Sequence, residues 1–132
     1  MIFVQDATGY IQLNHNSKKL QNELKVGDDM AREQFQTLTE PMYYILLALT
    51  DECCGVDIME KVKHSSHGRV LVGPGTLYAM LAKFEENGVI RLTASEGRRK
   101  SYIITDKGSE TLQEEFNRLK TMVEDGMFYL NK

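Results

Sequence analysis

Residues 73–88, GPGTLYAMLAKFEENG, decide the fold of this chain. Pro74 suits the first turn of a helix, where its missing N–H would have no partner. Asn87-Gly88 is a pair that ends helices in the left-handed conformation. Apolar residues at helical spacing follow Pro74, namely Leu77, Met80, Leu81 and Phe84. The opposite side carries mainly small residues and one lysine, namely Gly75, Thr76, Ala79, Ala82, Lys83 and Glu86. This composition predicts a helix that fits into a groove.

Two amphipathic helices are predicted upstream. Thr39 is a candidate N-cap, and Glu40 and Pro41 suit a first turn. The helix that follows ends near residues 51–52 and buries residues spaced i, i+3, i+4 and i+7, namely Met42, Ile45, Leu46 and Leu49. Gly55 begins the next helix, whose apolar stripe is Ile58, Met59 and Val62.

Two strands are predicted after that helix, at residues 89–93 and 100–105, with a turn over residues 94–99 around Gly97. Three helices followed by a hairpin form the winged helix arrangement. The cationic residues Arg98, Arg99 and Lys100 come at the predicted tip, where a wing would contact phosphate. A merely solvated turn is the alternative interpretation.

The final helix begins after Thr105-Asp106 and carries a heptad seam. Its residues are spaced 4, 3, 4, 3 and 4, namely Leu112, Phe116, Leu119, Val123, Gly126 and Leu130. A lone helix with such a stripe has little of its own chain to pack on, so we expect a homodimer. The predicted dimerisation residues are Leu112, Phe116, Leu119, Val123 and Leu130. Packing of the helix against residues 1–36 is the alternative.

The sequence therefore predicts three segments. Residues 1–37 form an N-terminal extension with a candidate hairpin at 2–4 and 10–13 and short helices near 17–24 and 30–36. Residues 38–105 form the winged helix domain, and residues 106–132 the dimerisation helix. The fold class is mainly α with a small β-hairpin (α+β).

Composition narrows the class of protein. Of the 132 residues, 27% are charged and 42% hydrophobic, which indicates a folded chain. The longest apolar run, residues 42–49, is far too short to span a bilayer, and the N-terminus lacks the basic start of a secretory signal. Net charge is −3, yet residues 69–105 hold six basic and three acidic side chains. We expect a cytoplasmic protein without a membrane partner, with one locally basic stretch.

Catalytic and metal-binding motifs are not found. His15, His64 and His67 do not stand with carboxylates at metal-ligand spacing, and no Lys-Ser or Lys-Thr follows residues 73–75 as a phosphate loop requires. The adjacent Cys53 and Cys54 are interpreted as small buried thiols in a turn between two helices, with a redox or metal-responsive pair as the alternative. We therefore expect neither an enzyme nor a cofactor.

Several stretches resemble the PadR family of transcriptional regulators. They are residues 39–49 (TEPMYYILLAL), 55–58 (GVDI), 73–78 (GPGTLY), 97–102 (GRRKSY) and 105–108 (TDKG). The resemblance covers residues 38–130, and within the family the chain is similar to the subgroup with a short C-terminal part. It implies a dimeric winged helix repressor that answers small aromatic or drug-like ligands or envelope stress. Val56 departs from the family's usual aromatic residue, and the absence of tryptophan excludes a tryptophan-stacked drug site.

These observations predict a DNA-binding repressor that binds an inverted-repeat operator as a homodimer and is released by a small hydrophobic effector or a stress signal. Double-stranded DNA would be read by Thr76, Ala79 and Lys83, with Arg98, Arg99 and Lys100 on the wing. Tyr78 either donates its hydroxyl to phosphate or packs half-buried. The alternative function is a winged helix dimer that binds a protein partner instead of DNA, which the negative net charge favours.

Overall fold

The computed structural model describes residues 2–6, 9–13 and 37–131. The chain divides into two compact units, Met1–Gln34 and Phe35–Lys132. In the first unit, strands β1 (Ile2–Asp6) and β2 (Gly9–Leu13) pair antiparallel, with Ile2 opposite Leu13. This is the predicted hairpin. The short helices predicted near 17–24 and 30–36 lie outside the described residues.

The second unit has the predicted α+β winged helix architecture. Its elements in chain order are α1 (Glu40–Ala48), β3 (Cys53–Cys54), α2 (Gly55–Ser65), α3 (Pro74–Glu86), β4 (Ile90–Glu96), β5 (Arg99–Ile104) and α4 (Asp106–Leu130). The three strands form one antiparallel sheet in the order β3-β5-β4. The fold class predicted from the sequence is confirmed, with one strand more than expected.

The helix starts follow the capping residues. Thr39 accepts a hydrogen bond from the backbone N–H of Met42 at the start of α1, and Thr105 accepts one from Gly108 at the start of α4. α1 ends at Ala48, a few residues before the predicted end, because Leu49 already leaves the helix as its C-cap. α3 begins at Pro74, as predicted, and Gly88 beyond its end takes a positive φ of 73°.

The sheet differs from the prediction in two ways. Cys53 and Cys54 form an edge strand, where Cys53 pairs with Tyr102, instead of the predicted helix-to-helix turn. The first wing strand is also longer than predicted, because β4 continues to Glu96, while β5 keeps its predicted length and begins one residue earlier, so only Gly97 and the residue after it form the turn. Gly97 has the positive φ of 61° that such a tight turn requires.

The core is built from the predicted apolar stripes. Its fully buried side chains come from α1 and its C-cap, from α2 and α3, and from the start of the wing, namely Ile45, Leu46, Leu49, Ile58, Val62, Leu77, Leu81, Phe84, Val89 and Ile90. Met42, Met59 and Met80 are half-buried at its margin. Leu112 of α4 joins this core and is 7% exposed. The first turns of α4 are therefore part of the winged helix unit.

A buried carboxylate joins α4 to the segment before α1. The side chain of Glu115 accepts hydrogen bonds from the backbone N–H of Leu38 and from Arg118. The two partners offset the cost of burying this charge. Sequence reasoning missed this contact, although Glu115 lies on the core side of α4, about 60° round the helix from Leu112.

Among the described residues, no helix is both long and apolar enough to cross a bilayer.

Candidate nucleic-acid interface

The outward face of α3 consists of exposed small residues. Leu77, Leu81 and Phe84 point into the core, and this orientation leaves Thr76, Ala79 and Lys83 exposed on the other side. A Cβ at Gly75 would meet no heavy atom within 4 Å, so the start of the helix is also open. The sequence predicted this division of faces, and the structure presents the three candidate base-reading residues together on one surface.

Tyr78 lies between the core and this surface. Its side chain is 48% exposed, while its hydroxyl end lies against α2: a Cβ at Gly55 would be only 2.7 Å from the Tyr78 oxygen. The ring therefore packs on the first residue of α2 and leaves part of its surface open. Both interpretations of Tyr78, packing and phosphate contact, agree with this placement.

The three wing cations are not equivalent. Arg98 lies in the turn, and Lys100 lies in the first part of β5; both are exposed. Arg99 is directed toward the start of α2, where its Nη2 lies 3.5 Å from Cys54 Sγ and 4.0 Å from Asp57 Oδ2. The hydrogen bond to Cys54, together with the charges of Cys54 and Asp57, raises the pKa of the Arg99 guanidinium. Arg99 stays cationic while it links the wing to α2.

Cys54 is the centre of this link. Its thiol donates to Asp57 Oδ2 at 3.2 Å while it accepts from Arg99. Cys53 beside it is also buried, and burial raises the pKa of its thiol above the ordinary value of 9.0. The sequence predicted that both thiols are buried, but neither the contact with Arg99 nor the role of Asp57. Their proximity depends on β3 pairing, which a two-residue strand does not reveal.

Arg69 belongs to the basic stretch but not to the α3 surface. Its guanidinium contacts α1, through Glu40 Oε1 at 2.7 Å and the hydroxyl of Tyr44 at 2.9 Å. Exposed ion pairs contribute little to stability, so the main effect is to direct this cation toward α1. At the other end of α3, Glu85 and Glu86 are exposed and acidic.

From Phe116 onward, α4 exposes many apolar side chains on more than one side of the helix. These side chains are Phe116, Met122, Val123, Met127, Phe128, Tyr129 and Leu130. Val123 is 62% exposed and Leu130 84%, while Leu119 is half-buried. Leu112, predicted as the first dimerisation residue, lies in the core of its own chain instead, because α4 starts directly after β5 and packs against it. The surface open to a partner begins at Phe116.

The histidines do not assemble a metal site. His64 and His67 line a shallow cleft at the end of α2 with Glu60, Lys63 and Gly68. No group of three histidine, cysteine, aspartate or glutamate side chains in the described ranges is placed to hold a metal ion.

Comparison with known families decides what kind of protein this arrangement belongs to. The sequence model of the PadR-like transcriptional regulator family matches residues 45–114. The chain belongs to this family. The matched region runs from α1 to the first turns of α4, so the α3 surface and the wing of this PadR-like regulator lie inside it. No curated protein matches the chain significantly.

Solved structures resemble this PadR-like regulator in fold. A transcriptional regulator from Clostridium thermocellum is 20% identical, over 70% of this chain and 92% of its own, with a TM-score of 0.57. A PadR-like transcription factor from Bacteroides fragilis is 24% identical, over 80% and 98% of the two chains, with a TM-score of 0.56. The PcaV regulator of Streptomyces coelicolor, solved with its natural ligand, is 17% identical, over 91% and 84%, with a TM-score of 0.57. These likenesses confirm the winged helix fold of the PadR-like regulator.

Proposed function

We propose that this PadR-like regulator is a homodimeric, non-enzymatic repressor that acts in the cytoplasm. It binds an inverted-repeat operator in double-stranded DNA and leaves it when a small hydrophobic effector or a stress signal arrives. The observation that carries the proposal is the exposed face of α3, where small side chains and Lys83 stand above a fully buried apolar side.

The α3 face suits the major groove. A helix approaches base edges closely only where its side chains are short, as they are at Thr76 and Ala79. The Thr76 hydroxyl can donate or accept a hydrogen bond, the Ala79 methyl offers an apolar contact to thymine, and Lys83 pairs with guanine or with phosphate. The acidic Glu85 and Glu86 limit how deeply the far end of α3 enters the groove.

The wing supplies the contacts to phosphate, which do not depend on the base sequence of the DNA. Arg98 and Lys100 are exposed at the tip, and Arg99 is held beside the first turn of α2. In the proposed complex these cations neutralise phosphates beside the groove that α3 enters. Tyr78, near the start of α2, adds a hydroxyl within the same surface.

The proposed homodimer gives the DNA-binding surface two-fold symmetry. On the heptad seam of α4, Phe116, Val123 and Leu130 form an apolar stripe that is exposed in the single chain, and exposed apolar surface of this kind marks protein–protein interfaces. A second copy of α4 covers it along the heptad seam, and the two-fold axis then presents two α3 helices to successive half-sites. An inverted-repeat operator follows from that axis.

The same part of α4 also suits a hydrophobic effector whose binding releases the protein from its operator. Met122 and Met127 are exposed beside the seam, and methionine side chains adapt to ligands of irregular shape. PcaV, a structural neighbour, was solved with its natural ligand bound. An effector that fits one angle between the α4 helices better than another shifts the spacing of the α3 helices, and operator affinity changes with it.

A protein-binding module is the second candidate. The chain carries a net charge of −3, and the end of α3 is acidic. A basic partner surface could then take the place of DNA.

A salt-titrated binding assay separates the two candidates. The duplex upstream of the protein's own gene is compared with a shuffled duplex of equal length. Repressor function predicts selective retention of the first, steep loss of affinity with salt and a two-fold symmetric footprint. Binding at low salt only, equal for both duplexes, supports the protein-binding module and overturns the repressor.

A further inference from the structure

We propose that Leu71 is a specificity-determining residue beside the α3 surface, and that it packs on the 5-methyl group of a thymine in each half-site of the operator. The proposal rests on the proposed function, because it names a base that the repressor recognises. Three observations carry it: the exposure of Leu71, the contacts that hold its backbone, and its place just before α3.

Leu71 is an exposed leucine between two buried valines. Its side chain is 71% exposed, whereas Val70 and Val72 are 6% and 9% exposed. Such alternation is typical of extended backbone, in which successive side chains point to opposite sides. Because both valines lie in the core, Leu71 is directed away from it.

Side-chain contacts hold the segment that carries Leu71. Ser66 is fully buried, and its hydroxyl accepts a hydrogen bond from the backbone N–H of Val70 at 3.0 Å and lies 3.3 Å from the Val70 carbonyl oxygen. Arg69 forms an ion pair with Glu40 of α1 at 2.7 Å. The backbone therefore presents Leu71 in a fixed position, so little conformational entropy is lost when a ligand covers this side chain.

Leu71 also lies on the side of the fold that α3 exposes. It comes two residues before Gly73, the N-cap of α3. Val72 and Leu77, on either side of this N-cap, point into the core, while Leu71 and Ala79 point away from it. Recognition helices contact bases mainly with their N-terminal residues, and the far end of α3 is acidic. Leu71 therefore lies beside the base pairs that the first turn of α3 contacts.

A thymine methyl group is the feature of the major groove that suits a leucine. Leucine has no hydrogen-bonding group for phosphate or for a base edge, and the 5-methyl of thymine is the apolar group that the major groove presents. From Pro74 to Glu86, α3 contains no arginine, asparagine or glutamine, the residues that form paired hydrogen bonds with guanine or adenine. Recognition of A·T pairs by this surface therefore depends on thymine methyls, and Leu71 offers them a larger apolar contact than Ala79 does.

The test measures binding of the full-length protein to the duplex upstream of its own gene by fluorescence anisotropy. Thymines inside the footprint are replaced one at a time by deoxyuridine, which lacks only the 5-methyl group. For at least one thymine in each half-site, wild type should bind the replaced duplex about threefold more weakly. Leu71→Ala should bind the unmodified duplex about fivefold more weakly than wild type, and one of those replacements should then have no further effect.

Two further measurements separate base recognition from other roles of Leu71. Because leucine is uncharged, Leu71→Ala should leave the slope of log affinity against log salt unchanged. Because the side chain is exposed, the urea midpoint of unfolding should also stay nearly unchanged. Phe128→Ala is the matched control, since it removes an apolar side chain that is 75% exposed on the side of α4 away from the seam. This control should keep the wild-type affinity and the wild-type response to every deoxyuridine.

The role of Leu71 in DNA recognition is overturned if Leu71→Ala binds the operator as tightly as wild type, a result that would assign Leu71 to a protein contact. An equal loss on the operator and on a shuffled duplex also overturns it, because such a contact distinguishes no base. So does a variant that still responds to every deoxyuridine as wild type does. In all three cases wild type still binds the operator selectively. If wild type itself does not, the repressor function fails, and the role of Leu71 fails with it.

Discussion

Gly108 in α4 lies directly against the carbonyl oxygen of Val89: a Cβ at Gly108 would be 2.1 Å from that oxygen and 2.7 Å from Cγ1 of Ile104. This approach lets α4 begin immediately after the wing and seats Leu112 in the core. The contact is with backbone, which cannot rotate away. Thr105 completes the junction, because its hydroxyl donates to the carbonyl oxygen of Gly88 at 2.6 Å.

Gly108→Ala should therefore destabilise the protein by about 2–3 kcal/mol or more, since the methyl group forces α4 away from the wing. Urea unfolding followed by circular dichroism measures the loss. Gly126→Ala in the same helix is the matched control, because a Cβ there meets no atom within 4 Å. It should stabilise by about 0.5–1 kcal/mol. Equal effects of the two changes would contradict the close-contact explanation.

Replacing two wing arginines should flatten the salt dependence of operator binding. Arg98→Ala with Arg99→Ala removes two cations from each wing, so the slope of log affinity against log salt should fall by about one for each phosphate that is no longer neutralised. Fluorescence anisotropy at several salt concentrations gives the slope. Lys63→Ala with Lys120→Ala removes the same charge from exposed positions on α2 and α4 and should leave the slope nearly unchanged. An unchanged slope in the arginine variant would remove the wing from the interface.

The two interpretations of Tyr78 can be separated by deleting its hydroxyl. Tyr78→Phe keeps the ring packed against Gly55 and should change the free energy of unfolding by less than about 0.5 kcal/mol. If the hydroxyl donates to phosphate, operator affinity should fall about threefold or more. Unfolding and anisotropy measurements on one preparation give both values. Unchanged affinity would assign Tyr78 to packing alone.

A charge on the seam of α4 should separate the protomers. Val123→Asp places a carboxylate on a side chain that is 62% exposed in the single chain, so the fold should survive while the dimer dissociation constant rises about tenfold or more. Sedimentation velocity over a concentration series measures the change. Thr121→Asp adds the same charge on the opposite side of α4 and should not alter association. A wild-type chain that sediments as a monomer would overturn the dimer itself.

The helices of the second unit follow from local patterns, and the sequence predicts them well. Pro74 and Asn87 mark the ends of α3 because capping depends on neighbouring residues, and the spacing of Leu77, Leu81 and Phe84 already determines which side is exposed. The same helical spacing places Thr76, Ala79 and Lys83 on the exposed side.

The contacts that the sequence did not predict depend on distant residues. β3 is only two residues long, which is too short to show the alternation of apolar and polar residues that predicts a strand. It is a strand because Cys53 pairs with Tyr102 of β5. The direction of Arg99 follows from that pairing, since β3 brings Cys54 beside the wing. Leu112 fits the heptad as well as Phe116 does, but α4 lies against Val89 at Gly108, one turn before Leu112, and Leu112 is inside the core.

Stability should fall at alkaline pH because of a buried tyrosine. Burial, followed by the charges of Glu85 and Tyr78, raises the pKa of Tyr102 above its ordinary value of 10.0. The folded state therefore holds this proton more tightly than the unfolded chain. The resulting stabilisation is fully present below the unfolded pKa and is lost as pH rises through the folded pKa. Burial, followed by the charges of Tyr44 and Glu115, also raises the pKa of Tyr43. Tyr43 therefore changes stability in the same direction.

Tyr102→Phe should reduce this alkaline loss without removing it, because Tyr43 still titrates. Urea unfolding at about pH 8 and about pH 10.5 gives the difference in free energy for each protein. Tyr129→Phe, at a side chain that is 67% exposed, is the control and should lose as much stability as wild type. If Tyr102→Phe also loses as much as wild type, burial of this hydroxyl is not the cause, because only the ionisable group was removed.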